Sequence, residues 1–210
     1  MTTILTTLAL ALANIQVEHQ SIEARLNPTA SEVHLVSTLN LSSDGKLRLR
    51  LRPEMRVDEI EAFDADSDSV SDSVTHRRSG DVLEVAIPEG VGELRLICSG
   101  LLADDVEAGE IAGQIHNFSV QAHVGGDGVF MSDDAAWHPL PLDDASLPQL
   151  HMIELSIEPI DGWVLVASGD PVGDQPVDTP AWSWRTPLPA PGMAVAGNRH
   201  EVIGVVHETV

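Results

Sequence analysis

The sequence predicts an all-β protein: a mainly antiparallel, curved, saddle-like sheet or a β-sandwich, with very little helix. Three observations carry this. Apolar and polar residues alternate with period two over much of the chain. Each alternating run is short and bounded by Gly, Pro, Asp or Ser. No long stretch has helical spacing, and the best helix candidate is a single turn around residues 101–110. One-sided alternation implies sheets with one face buried.

In chain order, residues 4–13 form an apolar run ending in Ala11-Leu12-Ala13, a pattern of signal-peptide cleavage sites. The run is shorter than the ~20 residues a bilayer span needs, and no Lys or Arg precedes it. Residues 1–13 are therefore a signal peptide or a first strand, and residues 14–210 a single β-domain. The first reading places the protein outside the cytoplasm, exported or periplasmic; the second leaves it cytoplasmic. No other segment predicts a transmembrane span.

Val33, Leu35, Leu39 and Leu41 keep one phase. In "KLRLRLR", Leu47, Leu49 and Leu51 face one way, and Lys46, Arg48, Arg50 and Arg52 the other. That basic stripe is expected on an exposed face, paired with carboxylates of the next strand for small gains each. Leu83, Val85 and Ile87 repeat the pattern, as do Phe118, Val120, Ala122 and Val124, then Ile153, Leu155 and Ile157. "VGGDGVF" reads as a tight hairpin turn. The final "EVIGVVH" is strand-like. From about Pro171 the chain is rich in Pro and Gly, and Trp182 and Trp184 lie two apart. Two tryptophans on one side of an edge strand bury a large area, and packing is favoured over carbohydrate stacking.

Composition excludes several functions. The 210 residues hold 33 acidic against 11 basic ones, a formal net charge of −22. Such a surface repels phosphate backbones, so nucleic acid is not a partner. The only cysteine, Cys98, permits no internal disulfide and reads as a buried small hydrophobe. Asp64, Asp66 and Asp68 have the spacing that opens a calcium loop. Ser69 and Thr75 stand where such a loop needs Gly and Glu, so a solvated Ser/Asp-rich hairpin is favoured over weak calcium binding. His116 and His123 fall on opposite faces of a strand. His200-Glu201 begins an H-E-x-x-H pattern, but residue 204 is Gly. On a helix, His207 would lie ~10 Å further along the axis. No cofactor, metal or catalytic set is predicted, and nothing fixes the oligomeric state.

Three segments carry a family resemblance. "GVFMSDDAAWHPLP" brings Gly128, Phe130, Ser132, Trp137 and Pro139. "PIDGWVLVASGDPV" brings Gly162, Trp163, Ala167, Ser168 and Gly169. "WSWRTPLPAPGMAVAGNRHEVI" brings Trp184, Pro187 or Pro189, and Ala196-Gly197. In order and spacing this set resembles the N-terminal β-domain of aminopeptidase-N-like zinc metallopeptidases. The resemblance departs at Met193 and Ala194, where aromatics are usual, and at Val210, where the catalytic domain would begin. The Gly-x-x-Glu-Asn and H-E-x-x-H motifs are missing from the 210 residues, so the resemblance implies a non-catalytic scaffold or docking module for a peptidase catalytic domain. It also implies that residues 128–141 run beside the active-site cleft. Asp133, Asp134 and Trp137 are then the candidates for substrate contact, although a plug made of Trp137 and Pro139 is the favoured reading. Docking calls for an exposed apolar patch, with Trp182, Trp184, Met193 and the segment 193–206 as contributors. The alternative is a free-standing exported module that binds a peptide or glycan through Trp137 or Trp182.

Overall fold

Leu47, Leu49 and Leu51 are fully buried, whereas Lys46 is exposed and Arg48 and Arg50 are half-buried on the other face. This division repeats along the chain in a computed structural model, which describes residues 15–65, 74–104, 122–173 and 181–199. Among these residues there is no helix. The strands in order are β1 (Val17–Asn27), β2 (Glu32–Leu41), β3 (Gly45–Arg50), β4 (Met55–Asp64), β5 (Thr75–Ser79), β6 (Val82–Ile87) and β7 (Val91–Leu101), then β8 (Ala122–Gly125), β9 (Gly128–Met131), β10 (Leu140–Leu142), β11 (Met152–Ile157), β12 (Trp163–Ala167), β13 (Asp170–Pro171), β14 (Trp182–Arg185) and β15 (Val195–Arg199).

They form a seven-stranded sheet in the order β13-β14-β11-β1-β2-β7-β4 and two four-stranded sheets, β10-β3-β6-β5 and β12-β15-β9-β8. Every pairing is antiparallel except β1 with β11, where Ile22 lies opposite Leu155. One face of the large sheet contributes Ile22, Leu35, Leu39, Leu94, Leu96 and Leu155 to a single core. The core also takes Leu47, Leu49, Leu83 and Val85 from the second sheet and Val124, Met131 and Leu165 from the third.

Several expectations can be placed residue by residue. Ala122 and Val124 are buried on β8, and Gly126-Asp127 turns β8 into β9 as a two-residue hairpin loop. Of the proposed turn around 101–110, Leu101 ends β7 and Ala103 forms an isolated bridge with His123, so its described start is extended. The strand pairing of Ala103 supplies the hydrogen bonds a helical turn would otherwise make. Residues 105–110 lie outside the described residues, as do 4–13, Asp66, Asp68, His116, Phe118, Val120 and the 200–207 tail. Among the described residues no helix is long and apolar enough to cross a membrane.

Candidate functional site

The run 128–141 begins as β9, leaves the sheet at Ser132, and re-enters the second sheet as β10. Asp133 and Asp134 are exposed at its tip. The Asp134 carboxylate accepts from Ser132 Oγ at 2.6 Å, and its carbonyl accepts from Arg50 Nη2 at 3.1 Å. Beside it an open cleft of about 340 Å3 is lined by Arg50, Arg52, Glu54, Asp81, Asp134 and Ala136. Arg52 forms a two-point pair with Asp104, Nη1 to Oδ2 at 3.0 Å. The Asp104 carboxylate also accepts the Ala122 N–H at 2.9 Å. Of the rest of the basic stripe, Lys46 reaches Glu84 on neighbouring β6 at 2.8 Å, with Arg48 at 3.9 Å from the same carboxylate.

Trp137 is fully buried. Its indole Nε1 donates to the Met193 carbonyl at 2.9 Å, and its ring meets His138 edge-on. As placed it closes the core and is out of reach of a substrate or glycan. His138 is also fully buried. Its Nε2 accepts the Met193 N–H at 3.4 Å, which assigns the ring proton to Nδ1, 3.2 Å from the Pro139 carbonyl. Gln20 on β1 ties this loop to the large sheet. Its amide nitrogen donates to Ser37 Oγ and to the Pro139 carbonyl, both at 2.8 Å. Its carbonyl oxygen faces His151 Nε2 at 2.8 Å. The other nitrogen of His151 is 3.1 Å from the Gln149 carbonyl. A neutral ring carries one proton, so it serves one of these two acceptors at a time. Burial pushes the His138 imidazolium down to about 3 and lowers His151 as well.

Met193 and Trp184 are buried in the core, and Trp182 is half-buried on the same inner face of β14. As candidates for a docking surface, Met193 and Trp184 are corrected: both are packed inside the fold. β14 is not an edge strand, because the two residues of β13 pair outside it. An exposed apolar face does occur, on the β12-β15-β9-β8 sheet. Val164 and Val166 of β12 are 50% and 58% exposed, and Phe130 of β9 is 44% exposed. Val166 lies opposite Ala196, and Ala196 opposite Phe130, so one apolar row crosses three strands. The signal for it was the run Trp163-Val-Leu-Val-Ala, which is apolar on both faces rather than one.

Among the described residues, no three His, Cys, Asp or Glu side chains converge to hold a metal. Burial pushes the Cys98 thiol up to about 12, so it is not a nucleophile in the folded chain.

The site is thus an all-β framework with a polar loop and an exposed apolar sheet face, and comparison with known proteins gives its fold a family context. No family model and no curated protein matches the chain. Solved structures do match. A mutant M1 zinc metallopeptidase from Deinococcus radiodurans, bound to a Tyr-Ser-Ala substrate, matches with a TM-score of 0.59 at 14% identity, over 89% of this chain and 43% of that one. Native yeast LTA4 hydrolase matches with a TM-score of 0.57 at 18% identity, over 88% of this chain and 29% of that one. An aminopeptidase N family protein from Idiomarina loihiensis matches with a TM-score of 0.55 at 8% identity, over 85% and 29%. The chain therefore spans well under half the length of these structures and has the fold of an M1 peptidase N-terminal domain. The three segments that carried the resemblance are β9 and its following loop, β12 with the turn after it, and β14 to β15.

Proposed function

We propose that this chain is a non-catalytic β-scaffold that docks on the catalytic domain of an M1-type zinc metallopeptidase. One observation carries the docking: the apolar row Val166, Ala196 and Phe130, with Val164 beside it, on an otherwise strongly acidic protein. Contiguous apolar surface of this kind is a contact surface waiting for a partner. The polar tip with Asp133 and Asp134 then stands at the rim of the assembled cleft. There a carboxylate suits the amine of a peptide substrate.

The test is to mix the chain with a zinc-binding catalytic domain encoded in the same reading frame or an adjoining gene. A stable complex is expected, with zinc-dependent aminopeptidase activity that rises when the chain is added. Phe130→Lys should weaken it. A catalytic domain equally active and monomeric with or without the chain would overturn the reading.

A further inference from the structure

We propose that the edge of β12, unpaired among the described residues, accepts an extended, basic-flanked peptide strand, which adds to the β12-β15-β9-β8 sheet as a new outer strand. This deepens the docking reading, on which it rests for the use of this face, and names what the partner presents there.

Sheet edges expose unpaired backbone N–H and C=O groups, and proteins normally blunt them. Among the described residues the three sheets have six edges, and five are blunted. β4 carries Arg56, Asp58, Glu59 and Glu61 and is irregular at two points against β7. β5 reads Thr-His-Arg-Arg-Ser. β13 is two residues long and contains Pro171. β10 is three residues long, contains Pro141, and is covered by the bridge from Leu142 to Pro148. β8 is covered by the bridge between Ala103 and His123. Among the described residues, β12 has none of these devices. It reads Trp-Val-Leu-Val-Ala, pairs with β15 in unbroken register, and holds no charge or proline.

The orientation of its backbone follows from two bonds. Ser168 N–H donates across to Ala194, on the β15 side, while Trp163 N–H turns away to Ile160. Backbone groups alternate sides along a strand, so those of Leu165 and Ala167 point out from the sheet edge. They form an i, i+2 ladder of two donors and their carbonyls, the pattern an added strand uses. Val164 and Val166 stand on the exposed face beside that ladder, where alternate apolar side chains of an added strand would pack.

Charge selects the occupant. Exposed Asp161 and Asp170 bracket β12, with Arg199 opposite Trp163 and Arg185 opposite Asp170, on a chain of net charge −22. A second copy of this chain brings the same charge and is disfavoured, whereas an extended segment with Lys or Arg at its ends is attracted.

The probe is a fluorescent peptide, Lys-Thr-Val-Thr-Val-Thr-Val-Lys, titrated against the full chain by anisotropy. Two further versions carry N-methyl groups on either the Thr or the Val nitrogens. Binding is expected, with one N-methylated version losing it and the other keeping it, because alternate N–H groups face β12. Val166→Lys, at an exposed position, should weaken binding about tenfold or more through repulsion and blunting of the edge. If the peptide binds while no peptidase domain docks, this proposal stands and the docking reading falls. The proposal is overturned if the peptide does not bind, or if both N-methylated versions bind equally. It is also overturned if sedimentation shows a dimer of the chain that Val166→Lys dissolves.

Discussion

The indole Nε1 of Trp137 donates to the carbonyl of Met193 at 2.9 Å, while His138, the next residue, accepts the Met193 N–H at 3.4 Å. Adjacent side chains thus hold both polar backbone groups of one residue 55 or 56 positions away. This grip fastens the loop after β9 to the start of β15, and with it the acidic tip to the apolar sheet face. Trp137→Phe keeps most of the apolar volume but strands a buried carbonyl. The expected loss is about 1–3 kcal/mol, read by urea denaturation, and Trp137→Ala should cost about 3–5 kcal/mol.

Gly192 sits where this grip closes. A Cβ added there would lie 2.5 Å from the Asp133 carbonyl oxygen and 3.1 Å from a Leu140 methyl. Backbone on backbone cannot yield without separating the two segments. Gly192→Ala should therefore destabilise by about 1–3 kcal/mol, measured by thermal unfolding.

Acid should loosen the same region. His138 and His151 are held neutral by burial, His138 down to about 3 against an ordinary 6.5. The unfolded chain binds these protons first, so stability is full above pH 6.5 and falls as pH drops from 6.5 toward 3. Each histidine contributes a slope of up to about 1.4 kcal/mol per pH unit. The groups around the pair are Gln20, Ser37, the Gln149 and Pro139 carbonyls and, across the sheet, His19 with its partner Glu154. Among the described residues, the hydrogen-bond partners of the two buried rings are amide and carbonyl groups, not carboxylates. Between pH 6.5 and 5, where ordinary carboxylates stay ionised, His138→Gln should flatten the slope. An unchanged slope would exclude His138 as its source.

Arg52 and Asp104 should be coupled. The pair is partly buried and also holds Ala122 N–H at the start of β8. Asp104→Asn keeps the shape but weakens two charge-assisted bonds, for an expected loss of about 1.5–3 kcal/mol. A double-mutant cycle with Arg52→Met should return a favourable coupling between the two.

Cys98 should be inert to Ellman's reagent in the folded chain and react fully in denaturant, because its thiol is buried and held up to about 12.

The strands were legible because burial on one face writes itself into neighbouring residues: Leu47, Leu49 and Leu51 or Leu83, Val85 and Ile87 need no distant partner to be read. The hairpin at Gly126-Asp127 was legible for the same local reason. The parallel pairing of β1 with β11 was not, since more than a hundred residues separate His19 from Met152 and no turn joins them. The docking residues were misplaced for a related cause. Trp184 and Met193 look alike locally whether they face a partner or the core, and only the packing of other strands against them decides it. Phe130 belonged to a motif already noted, yet its exposure depends on Ala196, which lies opposite it on another strand. The histidine and glutamine network at Gln20, His138 and His151 had no signature at all, because its members are scattered across three separate segments.

The most direct measurement of the central claim is to sequence the coding DNA downstream of Val210 and the adjoining genes. The account predicts a reading frame with a Gly-x-x-Glu-Asn motif and an H-E-x-x-H motif followed by a distant Glu, the catalytic part that this β-scaffold accompanies. A stop codon after Val210 with unrelated genes on either side would contradict it.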